Sequence, residues 1–284
     1  MSDGIFNVLK PPGMTSHDVI AFLRRVLNTK KVGHGGTLDP DAAGVLPVFT
    51  GTATRLLEFA VEGRKQYLVE VTLGKQTDTG DDSGSVVKEM PVPEFPEETL
   101  QKVLQSFLGK QKQLPPMYSA IKINGQKLYQ LARKGVEVER ELRDIEVYKL
   151  ELLNFTANTL TLAVDCSKGT YIRVLGEDIA TALGTCGTMS FLLRTQVGSY
   201  HLNESHTLQE IADNSPCHEE IVDASLLIDF IFDETKSTTK DMAILHYVDG
   251  LTLEETAKMM KMSVSGVRKR LSGLRSYAKQ FTGE

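Results

Sequence analysis

The sequence predicts an α+β body of about 200 residues followed by a small all-α tail, and three observations carry that reading. Helical and strand-like periodicities are mixed through the first part of the chain without the strict alternation that marks a doubly wound sheet. Net charge changes by segment: residues 1–202 hold 23 basic and 23 acidic side chains, 203–235 hold nine acidic and no Lys or Arg, and 236–284 hold nine basic and five acidic. Residues 236–284 also contain three helical stretches and nothing strand-rich. The expected organisation is a catalytic-sized body at 1–202, an acidic end and connector at 203–235, and a helical tail at 236–284.

Thr15 and Ser16 are N-cap candidates with Asp18 in the first turn, and Val19, Ile20, Phe22, Leu23, Val26 and Leu27 follow at helical spacing. Gly33 to Gly44 is glycine-rich and reads as neither helix nor strand. Gln66 to Leu73 reads as a strand closed by Gly74 and a polar loop, Thr77 to Gly84. Pro91, Pro93 and Pro96 mark a connector before a helix over Glu97 to Leu108. Leu160, Leu162, Val164 and Cys166 alternate as in a half-buried strand, and Arg173 to Leu183 reads as a helix stopped by Gly184. In the tail, helices are expected over Asp241 to Val248, Leu253 to Met260 and Val264 to Ala278.

Composition excludes several classes. The chain has 284 residues, 41% apolar, with a net charge of −5, which argues against wholesale disorder. No apolar run approaches the ~18 residues of a membrane span, and the first residues lack the basic and apolar regions of a secretory signal. Cys166, Cys186 and Cys217 are odd in number and widely spaced, so neither a disulfide scaffold nor a structural zinc site is expected. A cytoplasmic monomer with no membrane partner fits these features. Net charge alone does not nominate a nucleic-acid binder, although a local patch is compatible with one.

The densest chemistry lies in Lys30-Lys31-Val32-Gly33-His34-Gly35-Gly36-Thr37-Leu38-Asp39-Pro40-Asp41. Its glycines let the backbone approach a ligand closely. A phosphate cradle is one reading, but the G-K-[ST] ending of a P-loop is absent. A metal site is another, but one His with two Asp is poor ligand spacing. The zinc deaminase signature is absent too. By chemistry alone Asp39 is either a nucleophile or general base, or a capping Asp in a structural turn.

Residue order carries a more specific signal. Gly33-His34-Gly35-Gly36-Thr37-Leu38-Asp39-Pro40, followed by Gly44-Val45-Leu46-Pro47, resembles the catalytic motif of the bacterial tRNA pseudouridine synthases of the TruB family. Matching motifs follow the same order: Lys10-Pro11-Pro12-Gly13-Met14-Thr15-Ser16, Lys65-Gln66-Tyr67 and Leu73-Gly74-Lys75-Gln76-Thr77-Asp78-Thr79. Three more are Pro115-Pro116-Met117-Tyr118-Ser119-Ala120-Ile121-Lys122, Leu128-Tyr129-Gln130-Leu131-Ala132-Arg133 and Cys166-Ser167-Lys168-Gly169-Thr170-Tyr171-Ile172-Arg173. The resemblance runs over roughly residues 4 to 230.

The resemblance implies the pseudouridine synthase fold, a mixed, mainly antiparallel sheet flanked by helices and loops. It also implies isomerisation of uridine to pseudouridine at position 55 in the tRNA T loop, without cofactor or metal. Asp39 matches the nucleophile, acting on C1′ directly or through a glycal-like intermediate. Tyr67 matches the aromatic that stacks on the uracil and takes the C5 proton. Arg173 matches the arginine paired with the catalytic carboxylate; without the resemblance it reads as a surface cation. The base must be flipped out of the folded loop at a cost of a few kcal/mol, and His34 matches the residue that takes up the vacated space. Tyr171 and Leu192 match other base-pocket positions, Lys10 a support of the catalytic loop, and Asp78 a loop implicated in flipping. Asp81 and Asp82 receive no role.

Residues 110–134, inside an insertion at about 91–145, interleave Lys110, Lys112, Lys122, Lys127, Arg133 and Lys134 with Tyr118 and Tyr129. This is similar to the family's RNA-gripping insertion; a solvated face is the alternative. Phosphate contacts there would supply affinity and register. The tail departs from the family, whose members usually end in a β-rich PUA-type module. Leu253 to Leu271 instead resembles a helix-turn-helix of the kind found in region four of RNA polymerase sigma factors. In that likeness Ala257 lies where the helices cross, Ser263 caps the second helix and Val267 packs inward. Lys261 occupies the turn position usually held by glycine. Arg268, Lys269, Arg270 and Arg275 would face DNA or additional RNA. A plain helical hairpin is the alternative for the tail, and a transcription regulator on an inactive synthase-like body is the alternative for the whole chain.

Overall fold

Strand β1 (Gly4–Lys10) is buried along nearly its whole length, as its almost unbroken apolar run requires. In the computed structural model the described residues are 4–60, 63–123, 125–213, 237–243, 245–246 and 251–271. They fall into two units, Met1–Arg64 with Thr195–Glu284, and Lys65–Arg194.

In the first unit, helix α1 (Ser16–Val26) starts as its sequence dictates. Thr15 is the N-cap and forms a reciprocal capping box with Asp18. Those hydrogen bonds from Thr15 hold the Asp18 carboxyl below its ordinary range. The apolar stripe of α1, Val19, Ile20 and Leu23, packs with Phe6, Val8, Leu46 and Val48. The glycine-rich stretch is not wholly irregular: Val32–His34 forms strand β2, which pairs antiparallel with β3 (Ala43–Thr50). Three residues are too few for a periodicity to register, and glycine depresses strand propensity. A Cβ on Gly33 would lie 2.6 Å from Leu57 Cδ1, so the glycine lets helix α2 (Leu57–Ala60) sit against the strand. Strand β3 also pairs antiparallel with β1, from Gly4↔Thr50 to Lys10↔Gly44.

In the second unit, β4 (Lys65–Leu73) alternates strictly between buried and half-buried residues, so Tyr67 shares the buried face with Val69 and Val71. A hairpin of β5 (Lys75–Thr77) and β6 (Val86–Glu89) follows. Helix α3 (Glu97–Ser106) and strand β7 (Gly109–Gln113) lead to the small hairpin β8 (Lys122–Ile123) and β9 (Gln126–Lys127), then helix α4 (Leu128–Ala132). Strands β10 (Arg143–Phe155) and β11 (Thr159–Cys166), helix α5 (Ile172–Ala182) and strand β12 (Gly187–Val197) complete it. The strand order in this unit is β12-β4-β11-β10-β7, with the β4–β11, β11–β10 and β10–β7 pairs antiparallel. Gly176 lets α5 approach β4, because a Cβ there would meet Val71 Cγ2 at 2.9 Å. Cys166 and Cys186 are free and buried, and burial pushes the Cys166 thiol up to about 12. Cys217 lies outside the described residues.

The end of β12 returns to the first unit, where it pairs with β13 (Tyr200–His201), and helix α6 (Leu208–Asp213) sets Ile211 into the α1 core. The tail helices belong to the same unit. They span Ser237–Ala243, Leu253–Met259 and residues 264–271. The first begins earlier than the apolar periodicity suggests, at the polar Ser237–Thr238–Thr239 run. Met242, Ala243, Ala257, Val267 and Leu271 join Ile5, Val45, Phe49, Leu56, Phe59 and Tyr200 in one apolar cluster. Arg55 Nη1 donates to the carbonyls of His246 (2.6 Å) and Leu251 (3.3 Å), tying the tail to the segment after β3. No helix among the described residues is long and apolar enough to cross a membrane.

Leu271 is 4% exposed within that shared cluster. Leu271→Ala is therefore expected to cost about 2–5 kcal/mol, and the loss should appear in the same unfolding transition that Phe49→Ala shifts. Urea titration of both variants checks this: a separate, early transition confined to Leu271→Ala would show that the tail has its own core.

Candidate active site

The Asp39 loop is built from backbone contacts that its sequence provides. Gly36 takes a φ of 126°, which only glycine adopts without strain. Gly35 N–H donates to Pro47 O at 2.8 Å, and Leu38 N–H donates to Ser16 Oγ at 2.9 Å, pinning the loop to the start of α1. Leu38 is buried beneath it, and Asp39 itself is half-buried. Lys10 is fully buried, and its ammonium donates to the carbonyls of Pro11 (2.8 Å), Pro40 (2.9 Å) and Ala42 (2.6 Å). A desolvated cation needs such acceptors, and here they fix the chain immediately after Asp39, as Ser16 fixes it immediately before. His34 stands at the end of β2, opposite Val48 on β3. The first unit thus gathers Lys10, His34 and Asp39 on one strand-and-loop assembly.

The second unit carries Tyr67, Asp78, Tyr171, Arg173 and Leu192. Tyr67, 7% exposed, lies opposite Val164 in the β4–β11 ladder, and Leu192 is buried on β12. Tyr171 is the N-cap of α5 and exchanges two backbone hydrogen bonds with the Gln113 amide, at 2.8 and 3.0 Å. Arg173, in the first turn of α5, is 5% exposed, so the surface-cation reading fails. Its guanidinium donates to Thr79 O (2.6 Å) and Tyr118 O (2.8 Å). It also lies 3.8 Å from Asp81 Oδ2.

That ion pair adds a residue to the polar loop that the sequence did not single out. Asp78 is exposed and its carboxylate accepts from Ser85 N–H at 2.8 Å, closing the loop on itself. Asp81, given no role from the sequence, is the loop carboxylate that faces Arg173. Three aspartates within five residues are indistinguishable by type, and only the path of the loop separates them. Gly80 sets that path. Its φ is +74°, and a Cβ there would meet Glu177 Oε1 at 2.8 Å. Glu177 is thus a second acidic group against this loop that sequence patterning missed. Burial, then the neighbouring Asp178 charge, push its carboxyl up to about 7 despite Arg173 nearby.

In the insertion, Lys122, Arg133 and Lys134 are exposed and Lys127 is half-buried. The Tyr129 ring is flanked by Lys127 Nζ at 5.5 Å and the Arg133 guanidinium at 5.6 Å from its centroid, a cation–π arrangement that gathers positive charge around one aromatic ring. In the tail, Arg268, Lys269 and Arg270 are exposed; Arg275 lies outside the described residues.

The mixed, mainly antiparallel sheet flanked by helices and loops is the fold of the pseudouridine synthases. The TruB family pseudouridylate synthase N-terminal domain matches residues 24–172, and the tRNA pseudouridylate synthase B C-terminal domain matches residues 173–233. The chain is 54% identical over 212 residues to tRNA pseudouridine synthase B of Caldanaerobacter subterraneus subsp. tengcongensis, covering 74% of each chain. It is 48% identical over 220 residues to the protein of that name from Streptococcus pyogenes, covering 75% of each. Among solved structures it is similar to a chain of a Cbf5-Nop10-Gar1 complex, with 32% identity and a TM-score of 0.60. That match covers 78% of this chain and 57% of the other, so the chain spans little more than half the length of that relative. The chain belongs to the TruB family of pseudouridylate synthases.

Glu177 generates a pH prediction. Its carboxyl is raised from 4.5 to about 7 in the folded state, so folding favours the protonated form. The stability associated with that proton is present below pH ~4.5 and is lost as pH rises to about 7. Glu177→Gln, which stays neutral, should match the parent in Tm near pH 4.5 and exceed it increasingly up to pH ~7, with a plateau above. A Tm difference independent of pH would show that Glu177 titrates normally.

Proposed function

We propose that this enzyme isomerises uridine to pseudouridine at position 55 in the T loop of tRNA. The observation that carries the reading is the ordered series of motifs centred on Gly33 to Pro40, within a chain of this family whose relatives bear the name tRNA pseudouridine synthase B. In this reading the N1–C1′ bond of the target uridine breaks, the uracil turns, and C5 bonds to C1′; the reaction is redox-neutral. Asp39 acts at C1′, by direct attack or through a glycal-like intermediate. The Lys10 ammonium supports this role by fixing the carbonyls beside Asp39. Tyr67 stacks on the uracil and takes the C5 proton once the new bond has formed. Arg173 favours the ionised carboxylate, as an opposite charge does. Tyr171 and Leu192 shape the base pocket, and His34 fills the stack that the flipped base leaves, offsetting part of the unstacking cost. Lys122, Lys127, Arg133 and Lys134 grip phosphates of the T arm.

Incubation with an unmodified tRNA transcript and mapping of pseudouridine tests the reading directly. Asp39→Asn keeps the shape of the side chain but not its nucleophilicity. Product should vanish while tRNA binding stays within about tenfold, or ~1.4 kcal/mol; site-specific turnover by this variant would remove Asp39 from its role.

Tyr67→Phe separates stacking from proton transfer. It should bind tRNA normally and stall before pseudouridine is completed. Near-normal turnover would leave Tyr67 a stacking platform and assign the C5 proton to another group.

A further inference from the structure

We propose that the C-terminal helical pair is a docked RNA-backbone grip, which presents Arg268, Lys269 and Arg270 to phosphates of the same tRNA outside its T arm. The inference rests on the proposed tRNA substrate and goes beyond it, because it assigns a role to a segment that the family's matched domains, which end at residue 233, do not include.

The local construction comes first. Thr252 caps the helix Leu253–Met259 in a reciprocal box with Glu255. Those hydrogen bonds hold the Glu255 carboxyl below its ordinary range. Lys261 turns the chain with a φ of 52°, and the Ser263 hydroxyl accepts from Gly266 N–H at 3.1 Å to start the second helix. Each helix then has two unlike faces. Ala257, Val267 and Leu271 are buried in the cluster with Phe49 and Leu56. Lys258, Lys261, Arg268, Lys269 and Arg270 are exposed. Acidic charge in residues 251–271 is confined to Glu254 and Glu255 in the first turn of the first helix, so every charged side chain that the turn and the second helix themselves add to the surface is basic. Such a surface is complementary to a polyanion.

Packing then favours the RNA over an independent ligand. The tail shares its core with the unit that carries the Asp39 loop. Leu57, which fills the space above Gly33 on β2, packs against that same cluster. A polyanion held by the tail is thereby held at a fixed place relative to His34 and Asp39, which suits a second grip on the substrate. The second helix also has no sequence to read in an RNA duplex, whose major groove is too deep and narrow for side chains. Its partners are therefore phosphates, and charge rather than side-chain identity should matter.

The test uses the full chain and an Arg268→Gln/Lys269→Gln/Arg270→Gln variant, assayed on an unmodified tRNA transcript and on an isolated T-arm hairpin. The preference for full-length tRNA over the hairpin, as the ratio of kcat/KM values, should fall by about tenfold, through KM. The salt dependence of tRNA binding should flatten, by up to ~0.9 log unit for each duplex phosphate that the variant no longer neutralises. Arg268→Lys/Arg270→Lys should retain the parent's preference. An unchanged ratio, or an equal loss on both RNAs, would overturn the proposal. So would selection of one DNA sequence from a random duplex pool by the parent chain and not by the variant. If the parent makes no pseudouridine in either RNA, the tRNA reading falls; the difference in tRNA binding between parent and variant then still decides whether the tail grips RNA.

Discussion

A fully buried ammonium underlies the Asp39 loop. Lys10 ends β1, and its Nζ gathers the carbonyls of Pro11, Pro40 and Ala42. Burying that charge costs several kcal/mol unless acceptors surround it, so the loop takes the one path that brings three carbonyls to it. Asp39 immediately precedes one of those acceptors, Pro40, and lies three residues before another, Ala42; on its other side Leu38 is buried and tied to Ser16. The β1–β3 ladder, whose last pair is Lys10↔Gly44, fixes the ammonium in turn. Loop shape is thus a consequence of strand register, not of the glycines alone; they permit the path, and the cation selects it.

The second unit solves a similar problem with a different cation. Arg173 is buried in the first turn of α5, where a helix N-terminus offers it no favourable dipole. Two loop carbonyls and the Asp81 carboxylate compensate. The acceptors come from residues 79, 81 and 118, so one side chain ties the polar loop after β5 to the insertion that carries the basic residues. Glu177, pressed against Gly80, completes the clamp, and its carboxyl is raised because the site is already dry and acidic.

The tail shows how a short helical segment becomes stable without a core of its own. Small helical units bury too little apolar surface to stand alone. Here Val267 and Leu271 pack with Phe49 and Leu56 in one cluster, and the Arg55 guanidinium donates to the carbonyls of His246 and Leu251. The result is one cluster built from segments nearly two hundred residues apart in sequence.

What the sequence determined by itself was local or ordered. The Thr15–Asp18 capping box, the period-two burial of β4 and β11, and the stop of α5 near Gly184 follow from neighbours a few residues apart. The family followed from motifs whose order survives without knowing the fold. Tertiary structure decided the rest, because it depends on partners distant in sequence. Val32–His34 became a strand only because β3 pairs with it. Asp81 rather than Asp78 met Arg173 because Gly80 bends the loop against α5. Arg173 changed from a surface cation by its sequence context to a buried one, since its acceptors at Thr79 and Tyr118 lie far along the chain. The tail's apolar face found its partners on β3 and the helical turn after it. In each case periodicity records which face is apolar, while the identity of the surface that covers it is set by packing across the fold.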